Sequence, residues 1–350
     1  MSEVAQPPLP AVTWRRTVLM GDPTHFSVQG GANPHTRTRL GTRRTVDRAR
    51  AISQWRRLRD VLRDHGLRVI AISADPGAPG LVYPANAGFL TEVDAEKPLA
   101  EKTFYLSNLI ATRAAERAHY ARMLGIAGFR TAAVPASFRF EGEADFFPVG
   151  DRYLLTHGRL ERQRFVAHFG LPPWKRVYGF RTDRAVEPFL AEVVKPRPVL
   201  RVELLLETHY HGDTALCGFG VERRFLLAWR SAVAPADWNA LERAFGDRLV
   251  EIRDEDAARY AANSFAYTPA GRRRSGIVES FLFMPAGLSD RLLGAVRERG
   301  VTPVAVDVSE FLKKGGGSVK CMIGDLGPVP DREPAARAAE SAGAPGTMIH

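Results

Sequence analysis

The stretch "ETHYHGDT" (207–214) places two imidazoles and a carboxylate close together just after the apolar run "VLRVELLL". Alternate residues at a strand end face the same way, so His209, His211 and Asp213 have a spacing that suits metal ligands. The same letters also supply the base and an acid for a cysteine nucleophile elsewhere. "HYHGD" has the H-x-H-x-D spacing of some two-metal hydrolases, but no further His follows the Asp. His157 and His168 stand apart without ligand spacing, so no resident metal is expected. Cys321 is the stronger lead. It follows "KKGGGSVK", in which the glycines let the backbone approach a ligand and Lys320 favours the thiolate. A lone cysteine is more often a small buried hydrophobe, and Cys217 in "TALCGFG" fits that description.

These residues need elements that bring them together, and a loose internal repeat provides them. "FLFMPAGLSDRLLGAVRERGVTPVAVDVSEFLKKGGGSVKCMI" reads strand, turn, helix, strand, Gly-rich loop and short strand. "FLLAWRSAVAPADWNALERAFGDRLVEIRDEDAARYAANSFAY" has the same order. In each, one polar residue stands at the mouth of the next strand: Cys321 in the first, Asn263 in the second. The pattern recurs before Asn86 in "PANAGFL", before Glu141 and Asp145 in "FRFEGEADFF", and before His211 and Asp213. Five strand–helix units of one orientation, stacked around an axis, would direct these positions into one pocket. A doubly wound α/β sheet is the alternative, but no G-x-G-x-x-G follows a strand; "GFGVER" reads as a hairpin turn.

The pocket so assembled holds a thiol, an imidazole and more carboxylates than a catalytic triad needs. Several acids beside a thiolate repel one another unless the ligand is a cation. A planar guanidinium, with five N–H donors, satisfies such a ring by paired hydrogen bonds. With Cys321 as nucleophile, His211 as acid and base, and Glu141 within reach, the chemistry is attack on a guanidino carbon.

Several segments carry a family resemblance: "LMGDPTHFSVQGGANPHT", "QWRRLRDVL", "ANAG", "ATRAAERAHY", "EGEAD", "HGRLER", "HGDTAL" and "EFLKKGGGSVKC". The chain resembles the guanidine-modifying enzymes of the pentein fold: arginine dihydrolases, arginine deiminases, dimethylarginine dimethylaminohydrolases and amidinotransferases. It is most similar to the arginine dihydrolase-type branch. The resemblance implies an α/β class, a five-bladed α/β propeller of ββαβ modules. It further implies Cys321 as nucleophile, His211 as general acid/base and Glu141 as the group orienting that imidazole. Asp213, Asp145 and Asn86 would hold the guanidinium nitrogens. Arg162 and Arg113 would take the substrate carboxylate, and Asn33 would line the pocket from the first blade. The chain departs from the family pattern at "EGEAD", where Ala144 replaces a Gly, and at Gln163, Gly212 and "NPHT". These departures point to an arginine relative as an alternative to arginine itself.

The expected activity is hydrolysis of the guanidino group through a thiouronium on Cys321, with no cofactor. If an amine replaces water, the enzyme is instead an amidinotransferase. The bulk properties bound the remaining classes. The net charge of +10 arises mostly between Arg37 and Arg68, where eleven Arg face three Asp. That region reads as an amphipathic helix with Ile52, Trp55, Leu58 and Leu62 on its buried stripe and Arg on solvated faces. No aromatic-interleaved or zinc-spaced nucleic-acid motif accompanies the charge, so no nucleic-acid partner is expected. No apolar run approaches the roughly 20 residues of a membrane span, and "MSEVAQPPLPAV" has no secretory pattern. A cytoplasmic setting follows, with a small-molecule guanidine as partner and a homo-oligomer left open. The folded body is expected over 13–326, between tails at 1–12 and 327–350.

Overall fold

The computed structural model describes residues 12–28, 33–38, 42–159, 164–168, 171–271, 273–274 and 277–331. The chain opens with β1 (Trp14–Gly21), α1 (Arg48–Asp64) and β2 (Arg68–Ile72). A second unit has β3 (Gly88–Leu90), β4 (Thr103–Leu106), α2 (Glu116–Ile126) and β5 (Arg130–Ala133). In the third, β6 (Phe146–Val149) and β7 (Arg152–His157) precede an inserted hairpin, β8 (Arg164–His168) and β9 (Leu171–Val177). That unit ends with α3 (Glu187–Val193) and β10 (Val199–Glu203). The fourth comprises β11 (Leu216–Phe219), β12 (Phe225–Ala228), α4 (Pro235–Phe245) and β13 (Leu249–Glu251), with the one-turn α5 (Asp254–Ala257) after it. The fifth has β14 (Phe265–Tyr267), the short hairpin β15 (Arg273–Arg274) and β16 (Ile277–Val278), then β17 (Phe281–Pro285), α6 (Asp290–Arg297) and β18 (Thr302–Val306). The last elements are α7 (Ser309–Gly315) and β19 (Gly324–Pro330).

Five three-stranded sheets repeat one plan. The central strand pairs antiparallel with the strand before it and parallel with the strand after it, as in β3–β4–β5 and β14–β17–β18. A parallel neighbour needs a crossover, and the helix of each unit supplies it. The first sheet differs in one respect: its antiparallel edge is β19, so the last strand of the described chain pairs with β1. The result is a mixed α/β fold of five small sheets. β19 continues through Pro330, past the expected limit of the folded body at 326. Residues 1–11 and 332–350 lie outside the described residues.

Local sequence explains the helices. Asp47 caps α1 by accepting the Arg50 N–H at 3.0 Å. Ala51, Gln54, Trp55, Leu58, Val61 and Leu62 recur at helical spacing and are buried, while Arg48, Arg56, Arg57 and Arg63 face outward. Ile52 flanks this stripe and is half-buried. The excess arginine therefore lies on the solvated side of an ordinary amphipathic helix.

Each of five apolar clusters joins consecutive sheets. Leu19 packs with Leu90 and Phe104, Phe89 with Phe146 and Leu155, and Phe147 with Leu216 and Leu226. Phe219 and Leu227 join Leu282 and Met284, and Phe265 and Phe283 return to Val18 and Met20. The first strand of every sheet thus starts from one region of the molecule. Gly142 lies at a close approach between two units. Its φ is +67°, and a β-carbon there would lie 2.6 Å from the Gly88 carbonyl oxygen and 2.8 Å from that of Ala85. Both the left-handed backbone and the backbone crowding exclude a side chain. Gly142→Ala is expected to lower stability by roughly 2–4 kcal/mol, read as a drop in the denaturant midpoint.

Candidate active site

The loops entering the first strands carry the polar residues singled out by the repeat. Asn86 closes the 3-10 turn Pro84–Asn86 before β3, and Glu141 precedes the turn Gly142–Ala144 before β6. His211 precedes the turn Gly212–Thr214 before β11. Asn263 lies just ahead of β14, and Cys321 lies between α7 and β19. All five side chains are buried.

Asn263 organises the loop that carries Cys321. Its Nδ2 donates to Cys321 Sγ at 3.1 Å and to the Asp213 carbonyl at 3.2 Å. Its Oδ1 accepts the N–H groups of Ser318 at 2.8 Å and Cys321 at 3.1 Å. All four hydrogen-bonding positions of the amide are used, which fixes Cys321 relative to Asp213. The glycine run is required by the surrounding rings. A β-carbon on Gly315 would lie 3.2 Å from the Tyr210 hydroxyl, on Gly316 2.7 Å from the His35 ring, and on Gly317 2.7 Å from the Tyr83 ring.

Cys321 and His211 line one cavity of about 50 Å³, with Asn33, Tyr83, Asn86, Arg113, Tyr210 and Lys314. His211 Nε2 lies 2.8 Å from Glu141 Oε2. Burial opposes charge on His211, but the carboxylates of Asp145, Glu141 and Asp213 outweigh it and hold its pKa above the ordinary imidazole value. Burial also opposes the Glu141 anion, yet the His211 hydrogen bond and charge bring its pKa down to about 2. The Cys321 thiol donates to Asp213 Oδ2 at 3.2 Å. Burial, then the neighbouring Asp213 charge, push this thiol well above its usual pKa. Asp213 is itself pushed up to about 6, chiefly by burial. Lys320 faces away from the cavity. Its Nζ lies 2.9 Å from Glu143 and donates to the Ile323 carbonyl at 3.1 Å, so the cation beside the thiol is already paired.

Three buried polar atoms here lack a hydrogen-bond partner among the described residues: Glu141 Oε1, Asp213 Oδ1 and Asn86 Nδ2. Two are carboxylate acceptors next to a thiol that stays protonated in their company. A planar cation with several N–H groups would satisfy both acceptors and offset the charge that suppresses the thiolate.

Other expected contributors are used differently. Asp145 Oδ1 accepts the Thr156 hydroxyl at 2.8 Å and the Gly212 N–H at 2.9 Å, and its Oδ2 accepts the Thr182 hydroxyl at 2.6 Å. It does not line the cavity with Cys321. It fastens the strand entry that carries His211 and does not face a ligand, because three donors already engage its oxygens. Arg113 lines the cavity, but its guanidinium is engaged by Glu116 at 2.7 Å and by Asn86 Oδ1 at 2.8 Å. It therefore orients Asn86 and does not present an open fork to a carboxylate. Asn33 lines the cavity and donates to the Lys314 carbonyl at 3.1 Å. Arg162 and Gln163 lie outside the described residues. Gly212 packs against Thr156, whose Oγ1 would lie 2.2 Å from a β-carbon at that position.

Arg181 and Thr182 were not picked out in the sequence. Arg181 lies over the Tyr210 ring, 4.9 Å from its centroid, and lines an adjoining cavity of about 330 Å³ with Arg113, Glu141 and Lys314. The dipeptide in "GFRT" was the available signal, displaced from "HGRLER" by the hairpin of β8 and β9. His209 does not join His211. Its ring stacks on Tyr260 at 4.6 Å, and its Nε2 lies 3.3 Å from the Ala257 carbonyl. Among the described residues no group of three or more His, Cys, Asp and Glu is arranged to hold a metal ion. Cys217 lies outside the cavity, its thiol 3.3 Å from the Ser264 carbonyl and pushed up to about 12 by burial. No helix among the described residues is long and apolar enough to cross a membrane.

No protein-family model matches the chain. It is 29% identical over 315 residues to an N(G),N(G)-dimethylarginine dimethylaminohydrolase of Mycobacterium tuberculosis, across 89% of this chain and 86% of that protein. It is 27% identical over 313 residues to a bifunctional arginine dihydrolase/ornithine cyclodeaminase of Nostoc, across 89% of this chain but only 38% of that longer protein. A solved structure of similar fold is the N-terminal domain of an arginine dihydrolase from cyanobacteria bound to its substrate, with TM-score 0.70 and 22% identity over 89% of this chain and 98% of that one.

The His211–Glu141 pair makes a testable statement about charge. Glu141→Gln removes the hydrogen-bonded anion that favours the imidazolium, so the His211 pKa is expected to fall, measured by NMR titration of ring-labelled histidine. An unchanged value would mean that Glu141 does not set the protonation of His211.

Proposed function

We infer that this chain is a guanidino-group hydrolase of the pentein superfamily, close to its arginine dihydrolase branch, and that its five sheets are the blades of an α/β propeller. The observation that carries this reading is the buried set of Cys321, His211, Glu141 and Asp213, in which Cys321 and His211 line one cavity and one oxygen of each carboxylate has no hydrogen-bond partner among the described residues. The two curated relatives, named as guanidino-group hydrolases of arginine and dimethylarginine, support it.

In the mechanism proposed, a guanidinium enters with N–H groups directed at Asp213 and Glu141. Its charge lowers the cost of ionising Cys321, whose proton is released to solvent as the cation binds, and the thiolate attacks the guanidino carbon. His211, held as an imidazolium by Glu141, protonates the departing nitrogen, which leaves as ammonia or an amine. The carbon is then bound to Cys321 as a thiouronium. His211, now neutral, takes a proton from water as it adds to that carbon, and the C–S bond breaks to release a ureido product. A second cycle on that product would release another ammonia with the carbon as carbon dioxide. Transfer to an amine in place of water would differ only in the acceptor.

Cys321→Ser is expected to reduce turnover of arginine by at least about a thousandfold while leaving the thermal transition in place. Acid-quenched wild-type enzyme turning over arginine should show, on the peptide containing Cys321, an adduct with the mass of arginine less ammonia. Product analysis by mass spectrometry for citrulline, ornithine, ammonia and amidino-transfer products identifies the outcome. Retained turnover in the Ser variant would overturn the assignment of the nucleophile.

A further inference from the structure

Two adjoining cavities meet at this site. Asp213 accepts the Cys321 thiol at 3.2 Å, and Glu141 lines the larger cavity with Glu116 and the cations Arg113, Arg181 and Lys314. One of these cations has no counter-charge. Lys314, in the last turn of α7, lines both cavities. Its ammonium makes no hydrogen bond or ion pair with a described residue, and its nearest ring contact is Phe26 at 5.7 Å.

The acids within reach of this ammonium are already held. Glu116 is taken by Arg113 at 2.7 Å, and Glu141 by His211 at 2.8 Å. On the same helix, Glu310 accepts Lys313 at 2.7 and 2.8 Å and the Asp47 N–H at 3.0 Å. The remaining titratable groups around it are neutral near pH 7. Tyr83 and Tyr210 donate to the Phe311 and Gly315 carbonyls, and burial raises the pKa of both. His35, against Gly316, is lowered to about 4 by burial. Arg113 and Arg181 bring like charge. A half-buried ammonium in that company lacks an anion, and the cavity is where one would enter.

We propose that Lys314 is the specificity-determining cation of this site, pairing with the carboxylate of a guanidino acid whose other end lies at Cys321. This rests on the guanidino-hydrolase reading and names its substrate class: guanidines with an anionic group on a short tether. Guanidines ending in an amine are repelled by the same ammonium. Burial, with Arg113 adding to it, lowers the Lys314 pKa to about 7. The sign follows: the cation and its hold on the carboxylate are complete below that pH and lost as pH rises through it.

The test compares arginine with agmatine, which is the same guanidine without the carboxylate. Lys314→Met should lower the ratio of their kcat/KM values, arginine over agmatine, by at least about tenfold, the scale of one charge-assisted contact. In the wild type, KM for arginine should rise between pH 6 and 9, and Lys314→Arg, charged throughout, should flatten that rise. A ratio that stays within about twofold in Lys314→Met, or an equal loss on both guanidines, overturns the assignment. If the wild type turns over neither these compounds nor dimethylarginine, the hydrolase reading fails, and calorimetric binding to Cys321→Ser decides the role of Lys314 by itself. A preference for arginine that disappears in the double variant with Lys314→Met sustains it; equal affinities overturn it.

Discussion

The site is governed by charge balance in a place without bulk water. Glu141, Asp145 and Asp213 are buried within one shell of side chains around His211, and a single imidazolium does not neutralise them all. Asp145 is stabilised by three donors, Glu141 by the imidazole, and Asp213 by drifting toward its protonated form beside the Cys321 thiol. These surroundings therefore hold the Cys321 thiol largely unionised. Under the mechanism proposed above, a bound cation redistributes this charge, so ligand entry and activation of Cys321 are the same event. Such an arrangement protects a buried cysteine from adventitious chemistry when no substrate is present.

The scaffold meets this demand by repetition. Each sheet begins from the same region, so a residue just before its first strand lies near the others, whatever the connecting loops do. That is why Asn86, Glu141, His211, Asn263 and Cys321 could be picked out from a pattern of strands and helices without exact spacing. The repeat also located Asn263, although its function as the clamp on Cys321 depends on hydrogen-bond directions that no linear pattern encodes. The amphipathic helix at 48–64 was legible for the same reason: its stripe of Trp55, Leu58 and Leu62 is local.

What could not be read involves competition between neighbours. Arg113 has the right chemistry for a carboxylate, but Glu116, three residues on, captures it first. Asp145 stands at a pocket position, yet Thr156 and Thr182, from other parts of the unit, turn it into a support. Lys313 and Lys314 follow Glu310 at three and four residues, and both spacings allow an ion pair on a helix. Only the packing of α7 decides that Lys313 takes the pair and Lys314 faces the cavity. Arg181 was hidden by an insertion: the hairpin of β8 and β9 separates it from the segment where the sequence suggests an arginine.

The pairing of β19 with β1 has a bearing on biogenesis. The strand that follows Cys321 completes the sheet begun by the earliest strand, so the nucleophile is seated only when distant parts of the polypeptide meet. Partial chains that stop short of β19 hold His211 and the acids but not Cys321 in place, and the sheet that seats Cys321 forms only once the long loop between its strands has closed.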